Sequence, residues 1–274
     1  MQDYLAQLEA HIIEQKKQQA ADRPFILGIY GPQGSGKTTL SLLMCERLTK
    51  LGYKARTVSL DDFYYTRAYR SALSADVHPL LATRGVPGTH DYKLGLKVFQ
   101  AILDKQPTTL PVFDKAVDDR CSEDEWLPVE ADLDFFIFEG WSVGVPDILL
   151  KELEENPEPL NPLEADFDAQ GEWRRHVAEQ NKAYQEWYDL IDYMVGMQVP
   201  NFEIISEWRW QQECDLFAKT GKRFFHSKAE VQEFVSYYER VTRAAQAHLS
   251  EFVECLIEID EAHQMQKMTF CSHE

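Results

Sequence analysis

The 274-residue chain has no dense Lys/Arg cluster, no C-x-x-C pair and no apolar run close to the length of a membrane span. Each absence excludes a class of function. With 28 Lys plus Arg against 46 Asp plus Glu, a formal charge of −18, the chain lacks the basic stripe that neutralises a phosphate backbone. DNA, RNA and anionic membrane surfaces are therefore not expected partners. The five cysteines (Cys45, Cys121, Cys214, Cys255 and Cys271) are odd in number and scattered, which excludes a paired zinc or redox motif. Plain thiols in a reducing compartment are expected. The first residues, MQDYLAQLEAHIIEQKKQQ, lack the charged-then-apolar pattern of a signal peptide, and no run approaches about 18 apolar residues. The expectation is a soluble, cytoplasmic protein. No internal repeat or low-complexity tract is present.

What is present is an apolar content of 44%, enough for an ordinary core, and strands that alternate with helices. Residues 3–20 place Tyr4, Leu5, Leu8, Ile12 and Ile13 at helical spacing, predicting an amphipathic helix packed on the domain. Residues 25–30 read as a buried parallel strand and 37–51 as a helix with Leu40, Leu43, Met44, Leu48 and Leu51 on one face. Residues 54–60 close a β-α-β unit. Residues 61–92 read as functional loops with room for one short helix. Further strands are expected at 109–113, 134–139, 193–199 and a last one at 253–259. Helices are expected at 94–103, 173–190, 202–218 and from 227 through about 249. The fold class is thus α/β, a single domain whose doubly wound, mostly parallel sheet has helices on both faces. Residues 1–22 form the N-terminal helix, 23–260 the domain with a surface excursion at 151–172, and 261–274 a C-terminal tail.

GPQGSGKT, followed by a second threonine, occupies positions 31 to 39 between the first strand and its helix. Gly31, Pro32, Gln33, Gly34, Ser35, Gly36, Lys37, Thr38 and Thr39 form the expected nucleotide cradle, with backbone N–H groups turned toward phosphate oxygens at a helix N-terminus. Lys37 would reach the outer phosphates and the Thr38 hydroxyl would ligate Mg²⁺. Glu139, at the end of the apolar run in DFFIFEGW, is the matching acidic metal partner; Asp134 opens that run at the wrong end. After the second strand comes SLDDFYY, where Asp61 could accept the proton of an acceptor hydroxyl, or Asp61 and Asp62 could simply cap the following turn.

The set GPQGSGKT, SLDDFYY, RGVPGTHD, PVFDK and FEGW, in this order and spacing, resembles the P-loop kinases of the uridine kinase, phosphoribulokinase and pantothenate kinase group. Within that group it looks most like the glycerate 3-kinase family. The resemblance spans residues 25–140 and continues more loosely to about 249. It implies ATP and Mg²⁺ as cofactors and Asp61 as catalytic base, with Asp62 and Tyr64 beside it as acceptor-side residues. It also implies an acceptor loop carrying Arg84, His90 and Asp91, with Asp114, Lys115 and Arg120 as further acceptor-side residues. A short helical lid at about 201–226 would bring Arg209, in EWRWQQE, to the transferring phosphate. Lys219, Lys222 and Arg223 are an alternative source of lid charge. A carboxylate-bearing acceptor suits an arginine clamp.

The implied function is transfer of the γ-phosphate to a hydroxyl of a small acceptor, with D-glycerate favoured. Two alternatives stay open. One is a nucleotide-dependent ATPase or regulatory ATP-binding protein. The other is a nucleoside kinase with Phe63, Tyr64, Tyr65 and Tyr92 around the base. Oligomeric state is not legible in the sequence.

Overall fold

β1 (Phe25–Tyr30) is apolar and buried along its whole length. A strand buries both alternating faces only when layers cover it from two sides, so β1 calls for helices above and below its sheet. In the computed structural model, which describes residues 2–19, 22–155 and 158–272, that is the arrangement. β1 is joined by β2 (Ala55–Ser59), β3 (Phe135–Gly140), β4 (Tyr193–Gln198), β5 (Cys255–Ile259) and β6 (Met265–Phe270) in the order β6-β5-β4-β1-β3-β2. Every neighbouring pair is parallel except β5 with β6.

The helices are α1 (Gln2–Gln18), α2 (Lys37–Lys50), α3 (Arg67–Asp76), α4 (Tyr92–Leu103), α5 (Ile148–Glu155), α6 (Pro162–Phe167), α7 (Glu172–Tyr188), α8 (Glu203–Thr220), α9 (Lys228–Ser236), α10 (Glu239–Ala247) and α11 (Leu249–Phe252). Alternation along β1 divides them between two cores. Phe25, Leu27 and Ile29 join a cluster with Leu8 and Ile12 of α1, Met44 and Leu48 of α2 and Trp208 of α8. Ile26 and Tyr30 join the other, with Phe99 of α4, Tyr184 and Trp187 of α7 and Val241 of α10. Among the described residues no helix is long and apolar enough to cross a membrane.

Several elements differ from the sequence expectations, each for a local reason. The strand expected at 109–113 is split: Thr108–Leu110 pairs with Leu127–Val129, and Phe113–Asp114 with Asp119–Arg120. Pro111 lies at the break and cannot donate to a ladder. The single helix expected from 227 is three shorter ones, α9 to α11. Residues 61–92 contain α3 and two 3-10 turns, Leu60–Phe63 and Pro79–Ala82, more helix than expected.

The supposed surface excursion at 151–172, of which 156–157 lie outside the described residues, includes α6 with Leu163, Glu164 and Asp168 buried. Its charges read as solvated in the sequence. In the fold Arg240 binds Glu164, with Nε to Oε1 at 2.9 Å, and Arg174 reaches Asp168 at 2.9 Å. Residues 265–270, expected in a tail, form the antiparallel edge strand β6.

Leu8 is 1% exposed, which makes α1 part of the core and not an appendage. Leu8→Ala is expected to lower the unfolding free energy by about 3 kcal/mol, read from urea denaturation. A loss below about 0.5 kcal/mol would show that α1 packs too loosely to contribute.

Candidate active site

The site forms where β1 ends. There the chain turns through Gly34 (φ 81°) and Gly36 (φ 92°), a region of backbone space that strains any side chain. Gly36 is also the N-cap of α2 and offers no side chain to its first amides, so those N–H groups remain for an anion. Parallel pairing sets Ile29 opposite Glu139, which brings the end of β3 to the level of this loop. Thr38 Oγ1 donates to Glu139 Oε1 at 2.9 Å. Glu139 is 3% exposed, and its Oε2 is buried with no hydrogen-bond partner among the described residues. A buried carboxylate oxygen beside a hydroxyl is a donor set for Mg²⁺, which usually takes one or two protein oxygens and fills its shell from phosphates and water. The residues fit that ion.

The facing wall begins at Ser59, the last residue of β2. Its hydroxyl accepts from the Asp61 amide at 3.3 Å, while Asp62 Oδ2 accepts from the Ser59 amide at 3.3 Å. Ser59 and Asp62 thus close the capping box of the 3-10 turn, and the Asp61 carboxylate is left free of that task. Asp61 Oδ1 accepts from Tyr64 Oη at 3.0 Å, and Lys115 Nζ donates to Asp61 Oδ2 at 2.6 Å. Burial by itself would raise the Asp61 carboxyl. The Lys115 ammonium, helped by Lys37, outweighs it and holds Asp61 below the usual carboxylate range. Asp61 in turn raises the Lys115 ammonium.

A cavity of about 370 Å³ lies between the two walls. On the donor side it is lined by Gln33, Gly34, Gly36, Lys37, Thr38 and Thr39; Gly31, Pro32 and Ser35 belong to the loop but do not line it. On the other side Asp61, Tyr64, Arg84, Lys115, Glu139 and Arg209 face it. Arg84 is ion-paired with Asp118 and lies 5.4 Å from the Phe113 ring. Arg209, on α8, pairs with Glu213 at 3.0 Å.

The fold sets five of the expected acceptor-side residues apart from this cavity. Asp62 is engaged in the cap. His90 is wholly buried, stacked on Tyr64 with ring centroids 4.3 Å apart and its Nδ1 3.2 Å from Tyr184 Oη. Burial pushes His90 down to about 3, so it backs Tyr64 as a neutral ring. Asp91 caps α4, accepting from the Leu94 amide at 3.1 Å, and pairs with Arg120 at 3.2 Å. Asp114 is exposed and accepts from the Ala116 amide. Of the four aromatics considered for a nucleoside base, only Tyr64 lines the cavity. Phe63 packs on Trp187, Tyr65 stacks on Tyr69, and Tyr92 lies against Tyr184.

Other lining residues escaped the sequence reading. Trp141 donates from Nε1 to Gly85 O at 2.9 Å, and Tyr238 Oη donates to Arg84 O at 3.3 Å; together they hold the loop that carries Arg84. Trp141 is the last residue of the FEGW motif and could have been found there. Phe234 and Tyr238 line the cavity too, but their i, i+4 spacing marks a buried helix face and nothing more. Ser59 and Gln212 complete the lining and carry no distinguishing signal in the sequence.

A phosphate-binding loop at the end of the central strand of a mostly parallel sheet, a metal-fitting Thr38–Glu139 pair and a second wall bearing a carboxylate not used in the cap define a P-loop phosphotransferase. No family model matches the chain. It is 32% identical over 240 residues to an uncharacterized kinase, mug58, of Schizosaccharomyces pombe, covering 82% of each chain. It is 30% identical over 229 residues to the chloroplastic D-glycerate 3-kinase of Arabidopsis thaliana, covering 78% of this chain and 46% of that longer protein. The structure of a D-glycerate 3-kinase from Cryptococcus neoformans has the same fold, with TM-score 0.83 and 23% identity over 97% of this chain and 99% of that one. The chain belongs to the glycerate 3-kinase-like family of P-loop kinases, ATP-dependent phosphotransferases that use Mg²⁺ with the nucleotide.

Burial, with the neighbouring Asp61 charge adding to it, pushes the Asp62 carboxyl up from 3.8 to about 6. Between those values the folded state holds more protons than the unfolded one, so this group makes stability fall as pH rises from about 4 to about 6. Asp62→Asn keeps an oxygen for the Ser59 amide and removes the titration. Its denaturation midpoints across that interval are expected to decline less steeply than those of the unaltered protein. Parallel declines would refute the assignment.

Proposed function

We propose that the chain transfers the γ-phosphoryl group of ATP to a hydroxyl of a small organic acid, and that D-glycerate is such an acceptor. The observation that carries this reading is the freedom of Asp61: with Ser59 and Asp62 closing the cap, its carboxylate faces the same cavity as the P-loop. Its depressed pKa keeps it ionised at any working pH, and phosphoryl transfer asks for an oriented proton acceptor more than for a strong base. Tyr64 and Lys115 orient that carboxylate from two sides.

Arg84 and Lys115 supply the positive charge that would hold an acceptor carboxylate, and the Arg84 guanidinium has the fork for a bidentate grip. Lys37 and Arg209 would neutralise charge developing on the transferred phosphoryl group. Thr38 and Glu139 would hold Mg²⁺, which when bound spreads the charge of the nucleotide phosphates. The name of the Arabidopsis relative supports glycerate as the acceptor. The second wall favours transfer to an acceptor over simple ATP hydrolysis, which has no use for Tyr64, Arg84 and Lys115 turned toward the P-loop.

ATP consumption by the purified protein is expected to rise with D-glycerate above the rate with no acceptor, and above the rates with uridine, pantothenate and ribulose 5-phosphate. A rate indifferent to every acceptor would exclude a kinase for these compounds. Asp61→Asn is expected to lower kcat by about 10²–10⁴-fold with nucleotide affinity retained. Full activity in that variant would remove Asp61 as the base.

A further inference from the structure

The cavity does not end at Arg84 and Lys115. These two side chains, with Arg209 and Phe234, also line an adjoining chamber of about 720 Å³, roomier than the 370 Å³ beside the P-loop. Its far wall is built by Leu216 of α8 and by Lys222, Arg223, Phe224 and Phe225 of the turn that follows.

Charge is the first clue to what the chamber takes. Five cations line it, Arg84, Lys115, Arg209, Lys222 and Arg223, against one acid, Glu213, in a chain whose formal charge is −18. Glu213 is 1% exposed and already committed to Arg209 and to the amides of Phe224 and Phe225, so it does not offset the rest. Arg84 and Lys115 have carboxylate partners in Asp118 and Asp61. Arg223 lies over the Phe217 ring at 3.8 Å, and neither it nor Lys222 makes an ion pair among the described residues. The second clue is aromatic surface: Phe224, 53% exposed, stands with Phe225 and Phe234 around the same space. Flat rings beside unpaired cations suit a polyol that carries an acid, with its C–H faces on the rings and its anion on the Lys/Arg pair. A three-carbon acid held at Asp61 would leave that surface unused.

We propose that the chain phosphorylates anionic polyols longer than glycerate, sugar acids or sugar phosphates, with the anion at Lys222 and Arg223 and the reacting hydroxyl at Asp61. This rests on the reading above that Asp61, Arg84 and Lys115 face the acceptor, and adds the acceptor's length and the place of its distal anion. In the reaction the hydroxyl oxygen forms the new bond to the γ-phosphorus and the bond from that phosphorus to the β–γ bridging oxygen breaks. ADP leaves, and the hydroxyl proton passes to Asp61.

The test is the initial rate of ATP-dependent phosphorylation of D-glycerate, D-gluconate and D-fructose 6-phosphate by the whole chain, unaltered and as Lys222→Ala/Arg223→Ala and Phe224→Ala. At least one six-carbon anion is expected to match or exceed D-glycerate in kcat/KM, and the gluconate and fructose 6-phosphate arms separate a sugar acid from a sugar phosphate. The double variant should lower the six-carbon to three-carbon ratio of kcat/KM by about tenfold, through KM, and Phe224→Ala should lower it in the same direction. Six-carbon anions slower than D-glycerate, or variants that leave the ratio unchanged, overturn the inference while the glycerate reading stands. No response to any acceptor overturns both.

Discussion

The parallel pairing of β1 with β3, Ile29 opposite Glu139 and Tyr30 opposite Gly140, is the constraint on which the site depends. It ends two buried strands at one level. Gly31–Thr39 therefore leaves β1 beside the one carboxylate that β3 presents, and Thr38 meets Glu139 at 2.9 Å. β2 pairs with β3 in its turn, Ser59 opposite Glu139, which carries SLDDFYY to the same edge. A register slip of one residue would send these side chains to the opposite face of the sheet. The two cores that cover β1 and β3 oppose such a slip, since every position in both strands is buried.

On that frame the second wall is held by polar contacts between segments distant in sequence. Asp61 meets Lys115 from the turn after Phe113–Asp114, and Arg84 meets Asp118 from the same turn. The buried Arg70 guanidinium ties this turn down, donating to Ala82 O at 2.8 Å and Asp118 O at 2.7 Å. The acidic balance of the chain thus conceals a local arrangement in which the cations converge on the cavities. Buried Glu164 and Asp168, which bind Arg174 and Arg240, draw acids away from solvent on another part of the fold.

Much of the fold was legible in the sequence because its signals are local. Apolar runs at 25–30 and 134–139, the glycine spacing of the P-loop and the 3.6-residue periodicity of α1, α2 and α7 each depend on neighbours within a few residues. The elements that differed depend on partners far along the chain. β6 is an edge strand whose ladder is supplied by β5, and its mixed composition does not mark a strand by itself. The acidic stretch containing α6 reads as solvent-facing until Arg174 and Arg240 are brought to it.

At the site the same division holds. The sequence alone determined the phosphate cradle, because turn geometry and a helix N-terminus are properties of consecutive residues. It also placed Asp61, Glu139 and Arg84 on segments that leave the carboxyl edge of the sheet. Only the tertiary structure assigned the cap of the 3-10 turn at Leu60–Phe63, which Ser59 and Asp62 close without the Asp61 carboxylate. It likewise turned His90, Asp91 and Arg120 away from the cavity and brought Trp141, Phe234 and Tyr238 to it. The physical reason is that a side chain's direction is set by the packing of whatever lies against it, and that neighbour is rarely adjacent in the chain.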